Sequence, residues 1–110
     1  MSGNEAISVT GQDLEEDRFD RFRQISWWNQ DKISQAKVLV VGAGALGNEI
    51  IKNLALLGFR QIVIVDLDAI ELSNLTRSVL YRPDDVGRDK AGTAAAAATA
   101  LYEEATIHPI

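Results

Sequence analysis

Three glycines, Gly42, Gly44 and Gly47, and a later carboxylate, Asp66, are the residues whose types and spacing most clearly imply chemistry. A Gly-x-Gly-x-x-Gly run between an apolar stretch and a helical pattern lets the backbone turn tightly at its first glycine. It lets the second approach a phosphate and the third lie close under the helix. The unpaired N–H groups and the positive dipole end of that helix then face the anion. Asp66 follows after about 20 residues, the interval at which an acid ending a second strand reaches a ribose hydroxyl. The pattern predicts a nucleotide site. Nicotinamide cofactors and ATP both satisfy it; the turn and acid alone favour a nicotinamide cofactor, an order that the residues after Asp66 reverse.

The elements that must position these residues are legible on either side. Val38 to Val41 and Ile62 to Val65 are short apolar, β-branched runs that read as parallel strands buried on both faces. Between them Leu46, Ile50, Ile51, Leu54 and Leu57 predict one apolar helical stripe, leaving Asn48, Glu49, Lys52 and Asn53 on the other side. Gly58 is placed to end that helix. Residues 1–12 are polar and aperiodic, a leader expected to be mobile, and 13–36 read as a helical lead-in: a helix that opens on Asp13 and Glu16 and runs to about Trp27, then a further helical turn or two over Asn29 to Ala36. The adjacent Trp27 and Trp28 point different ways on any regular element, so only one is expected to be well buried.

After Asp66 come two turn-rich loops, with Ser73 as a candidate cap. A helix opened by Lys90 then runs through the alanines to about Glu104, its small side chains suited to close packing. Residues 105–110, with the single histidine His108, read as a loop leading to a third strand that does not arrive. The expected fold is therefore α/β: a Rossmann-like parallel sheet with flanking helices, truncated after its first two strands. Residues 37–110 form the first part of the nucleotide-binding domain. Either a longer protein or association is expected to cover the remaining sheet edge and face.

Composition narrows the function classes. The chain has 110 residues, 46% of them hydrophobic, and a net charge of −5. The acidic balance argues against a broad nucleic-acid surface, although Arg77, Arg82, Arg88 and Lys90 gather locally. With no cysteine, neither a thiolate nucleophile nor a thiolate zinc site lies in these residues, and no metal ligand set is assigned. No apolar run approaches a membrane span, so a cytoplasmic protein without membrane or nucleic-acid partners is expected.

Four landmarks in order carry a family resemblance over about residues 18 to 110. They are Arg21-Phe22-Arg23-Gln24-Ile25; the glycine turn, with Ala45 where many members have glycine; Asp66-Leu67-Asp68 followed by Ser73-Asn74-Leu75-Thr76-Arg77; and Val86-Gly87-Arg88-Asp89-Lys90. With these the chain resembles the ubiquitin-activating and sulfur-carrier-activating enzymes, the ThiF, MoeB and HesA group. The resemblance implies ATP with Mg²⁺, adenylation of the C-terminal carboxylate of a ubiquitin-like or sulfur-carrier protein, and a homodimer. It places the ATP ribose on Asp66, with Asp68 completing the acidic motif, and the phosphates on Asn74, Arg77 and Lys90. Arg23, with Arg21 as the alternative, is the candidate for an N-terminal arginine reaching the phosphates, in several members from the other subunit. Both arginines have a second reading as surface partners of Glu16, Asp17 or Asp20. The Mg²⁺-holding aspartate of the family falls beyond Ile110. The rival readings are an NAD(P)-binding oxidoreductase domain, for which Gly42, Gly44, Gly47 and Asp66 suffice, and a non-catalytic interaction module.

Overall fold

The structure is a computed structural model that describes residues 18–110, in two units that divide after Gln30. The leader and the Asp13–Glu16 pair lie outside the described residues. In the first unit residues 18–23 are helical, and the helix stops there, short of Trp27. Phe19 and Phe22 stack at 6.3 Å, Phe22 lies 4.9 Å from Trp28, and the Trp28 indole N–H donates to Gln30 Oε1 at 2.8 Å. Trp27 lies 6.0 Å from Trp28 but is 78% exposed, whereas Trp28 is half-buried, so neither tryptophan is fully buried.

Helix α1 (Gln30–Gln35) leads into β1 (Lys37–Val41), α2 (Ala45–Leu57) and β2 (Gln61–Val65). Two single 3₁₀ turns, Leu72–Thr76 and Pro83–Asp85, precede α3 (Lys90–Leu101) and β3 (Thr106–Pro109). The sheet is parallel, in the order β1-β2-β3, with Val38 opposite Ile62 and Ile62 opposite Ile107. A third strand thus forms where a loop was expected. Thr106 N–H donates to Arg60 O at 2.6 Å and Ile110 N–H to Ile64 O at 2.8 Å, so the exposed edge of β2 recruits a short segment whose own pattern is weak. His108 sits on this strand rather than in a loop, and α3 ends at Leu101, before Glu104.

Helices α2 and α3 pack on each other and on the sheet, burying Val40, Ile62 and Ile64. Ala91, Ala94, Ala95 and Ala98 are the buried face of α3, and with side chains of one carbon they let the helices approach closely. The opposite face of the sheet is open: Leu39 is 62% and Val41 76% exposed. Two-faced burial, inferred from continuous apolar strands, is therefore not realised among the described residues, because both helices lie on one side.

The helical stripe is also rotated from expectation. In α2 the buried residues are Asn48, Ile51 and Ala55, whereas Leu46 is 75% exposed and Ile50 is exposed too. Asn48 faces inward because the neighbouring segments offer its amide partners for both ends. Gly58, at φ +93°, ends α2 as expected, its N–H donating to Ala55 O at 3.1 Å.

Candidate functional site

The glycine turn is shaped by two backbone constraints. Gly42 has φ +98°, a conformation L side chains rarely adopt, and its N–H donates to Val65 O at 2.8 Å, tying the end of β1 to the end of β2. At Gly47 a Cβ would lie 2.0 Å from Gly42 O, so the helix can start this close under the turn only with glycine there. Gly44 differs: its φ is −78°, and an added Cβ would meet no atom within 4 Å. It faces open space, beside a hollow of about 330 Å³ whose walls include Val41, Gly42, Leu46 and Gly47.

The start of α2 is bare. Gly44 provides no side-chain cap and the first turn carries no acidic residue. The first intrahelical bond is Asn48 N–H to Gly44 O at 2.8 Å, so the N–H groups ahead of it have no helical acceptor. In α3, by contrast, the Asp89 carboxylate caps the helix by accepting from Gly92 N–H at 2.6 Å.

Asp66 lies at the end of β2, where its carboxylate accepts from Ala43 N–H through Oδ2 and from Asp68 N–H through Oδ1, each at 2.8 Å. Each oxygen keeps a second lone pair for a ligand hydroxyl. Asp68 is exposed, and its carbonyl accepts from Lys90 N–H at 2.9 Å. This bond belongs to a short antiparallel pairing in which Ala69 faces Asp89, Ile70 N–H donates to Arg88 O and Gly87 N–H donates to Ile70 O, both at 2.8 Å. Gly87 makes the return possible at φ +91°. The pairing brings Lys90, the first residue of α3, beside the Asp66–Asp68 segment.

Two residues that the sequence did not single out complete the arrangement. Asn48, fully buried, donates through Nδ2 to Ala43 O at 2.8 Å and to Gly44 O at 3.0 Å, and accepts from Leu80 N–H at 2.9 Å. The Tyr81 hydroxyl lies 2.5 Å from Ala43 O and 3.2 Å from Lys90 O. Burial pushes this hydroxyl above its ordinary value of 10, a hydrogen bond from Asn48 opposes the shift, and the charges of Asp66, Asp89 and Asp85 reinforce it. It is therefore a neutral donor at neutral pH. In the sequence Asn48 falls among the polar residues of its helix and Tyr81 only precedes a proline turn, and neither has a spacing that names its partner.

Gly42, Gly44, Gly47, Asp66, Asp68 and Lys90 are thus brought together. Asn74 spends its side-chain oxygen on Glu71 N–H at 2.7 Å, and Glu71, not Ser73, caps that 3₁₀ turn. Arg77 ends the same turn and is exposed; Ser78 and Leu80 just after it are buried, which holds the segment down. Among the described residues neither Arg77 nor Lys90 has an ion-pair partner. Arg23 is exposed and belongs to the first unit. No group of three His, Cys, Asp or Glu side chains among the described residues could hold a metal.

Known proteins share the sequence and the fold of this chain. The NEDD8-activating enzyme E1 catalytic subunit of Caenorhabditis elegans is 53% identical over 68 residues, 62% of this chain and 16% of that protein. Escherichia coli MccB, crystallised with ATP, superimposes with a TM-score of 0.79 at 28% identity over 96% of this chain and 38% of its own. PaaA does so with a TM-score of 0.82 at 30% identity, over 100% of this chain and 37% of its own. The chain therefore spans a minor part of the length of each of these relatives. Nothing in these likenesses favours the oxidoreductase alternative. With the profile of the ThiF family matching residues 17–110, and its glycine turn, acidic strand end and Lys90 gathered at one mouth, the chain belongs to the ThiF family.

Proposed function

We propose that this chain is the nucleotide-binding portion of an E1-like adenylating enzyme, which uses ATP to activate the C-terminal carboxylate of a ubiquitin-like or sulfur-carrier protein. One observation carries the reading: a single hydroxyl, that of Tyr81, lies within 3.2 Å of both the glycine-turn carbonyl and the carbonyl of Lys90. A lysine therefore begins a helix right beside the bare start of another helix. The α2 end is positive and uncapped, and Lys90 adds a cation at the head of α3, whose dipole Asp89 already caps. A polyphosphate offsets both.

In this reading the α2 amides and Gly44 cradle the phosphates, the remaining lone pairs of Asp66 take the ribose hydroxyls, and Asp68 holds Lys90 through its carbonyl. Lys90, Arg77 and the Nδ2 of Asn74 stabilise charge that builds on the phosphate oxygens as the carboxylate attacks. For Arg23, with Arg21 as the alternative, the family resemblance implies a phosphate contact, in several members made from the other subunit. Mg²⁺ accompanies the triphosphate, but no ligand for it is assigned here, since the described residues provide no cluster for one. A homodimer and a cytoplasmic location complete the proposal. No helix among the described residues is long and apolar enough to cross a membrane.

Calorimetry on the full-length protein tests the reading. ATP is expected to titrate and NAD to give no heat; the reverse result would replace it with the dinucleotide reading. Gly44→Ala is a sharper probe. Its Cβ has room, so the unfolding midpoint should hold, while the methyl stands where the phosphate approaches and should weaken ATP by about tenfold, ~1.4 kcal/mol. A Gly44→Ala protein that binds ATP like the wild type would place the phosphates elsewhere.

A further inference from the structure

We propose that Asn48 and Tyr81 are positioning residues whose joint hold on the Ala43 carbonyl aims the Gly44 N–H at the bound phosphate and keeps Lys90 beside it. This inference rests on the ATP reading above.

The argument turns on one peptide plane. Ala43 N–H is held by Asp66 at 2.8 Å, and Ala43 O accepts from Asn48 Nδ2 at 2.8 Å and from the Tyr81 hydroxyl at 2.5 Å. A carbonyl oxygen has two lone pairs, and here both are engaged from the buried side. In a planar trans peptide the carbonyl and the following N–H point in opposite directions. Fixing Ala43 O inward therefore sends the Gly44 N–H outward; around Gly44 an added Cβ would also meet no atom within 4 Å. No acceptor for that N–H exists among the described residues. The donor is thus presented to the site by groups that never touch the ligand.

Each clamp residue also reaches a second segment. Asn48 Oδ1 takes Leu80 N–H at 2.9 Å, three residues after Arg77, and the Tyr81 hydroxyl lies 3.2 Å from Lys90 O at the head of α3. Turn and crossover are joined through buried hydrogen bonds, the Tyr81 hydroxyl that gives its proton to Ala43 O stands against the head of α3, and among the described residues no buried side-chain polar atom lacks a partner. Such a network tolerates little displacement, since a broken bond leaves a buried group unpaired.

Tyr81→Phe removes the hydroxyl and keeps the ring, and Ile62→Val trims the core of β2 away from the site as a stability control. Calorimetry with ATP on the full-length protein should show Tyr81→Phe weakened about tenfold and Ile62→Val within about twofold of wild type, even where the control lowers the unfolding temperature more. Tyr81→Phe binding like the wild type would overturn the proposal and leave the ATP reading standing. A wild-type protein that gives no heat with ATP overturns both, and is seen before any substitution is made. Independently of any variant, the Gly44 amide resonance of the wild type should be among those moved furthest by ATP. A Gly44 signal that stays put while its neighbours move would also overturn the proposal.

Discussion

Lys90→Ala is expected to lower ATP–pyrophosphate exchange by on the order of 10²- to 10³-fold, the scale seen when one donor to a charged transition state is removed. Folding should not suffer. The backbone N–H of Lys90 still reaches Asp68 O at 2.9 Å, Asp89 still caps α3, and among the described residues the side chain has no ion-pair partner to lose. Taking a cation away from a helix N-terminus should even stabilise the fold, by about 0.3–1 kcal/mol. The two effects have opposite signs, which separates a catalytic lysine from a surface one. Exchange assays beside urea denaturation measure both. Unchanged exchange would return Lys90 to the status of a surface charge and favour a non-catalytic module.

Gly47→Ala should destabilise the fold strongly, lowering the urea midpoint, rather than act only on the bound nucleotide. Helix propensity alone predicts the opposite, since alanine in place of glycine inside a helix stabilises by about 1 kcal/mol. Position decides against propensity. The added Cβ would sit 2.0 Å from Gly42 O and 2.8 Å from Gly42 C, both backbone atoms that cannot rotate aside. Either α2 moves off the turn, breaking the Asn48 contacts, or the turn leaves its tie to Val65. Overpacking of this kind costs about 1–3 kcal/mol when side chains can yield and more when backbone must, so a net loss of roughly 3 kcal/mol or more is expected. That is a large share of the ~5–15 kcal/mol that holds a domain folded. A urea midpoint equal to that of wild type would mean that α2 and the glycine turn are not packed this closely.

The motif gives Gly44 and Gly47 different tasks, and the geometry separates them in the same way: a Cβ at Gly47 would lie 2.0 Å from Gly42 O, whereas one at Gly44 would meet no atom within 4 Å. The charged pair separates only in the structure: Arg77 and Lys90 are both recognisable beside Asp66 in the chain, but only Lys90 is tied to the Asp66–Asp68 segment by a backbone hydrogen bond.

The amino-acid sequence by itself determined the strand, turn, helix and strand from Val38 to Asp66, the end of α2 at Gly58, and the family. These depend on backbone freedom at a glycine and on runs of apolar residues, properties each residue carries locally. Tertiary structure alone decided that Asn48 faces inward, that Tyr81 joins two helix starts, that residues 68–70 fold back on 87–90, that a third strand forms, and that one sheet face stays open. Each of these is a contact between distant parts of the chain, such as Ala43 with Asp66, Asn48 with Leu80 and Tyr81 with Ala43. A residue type says how many hydrogen bonds it can make. Which partner meets it depends on how the strands and helices pack, and that is settled only when the whole chain has folded.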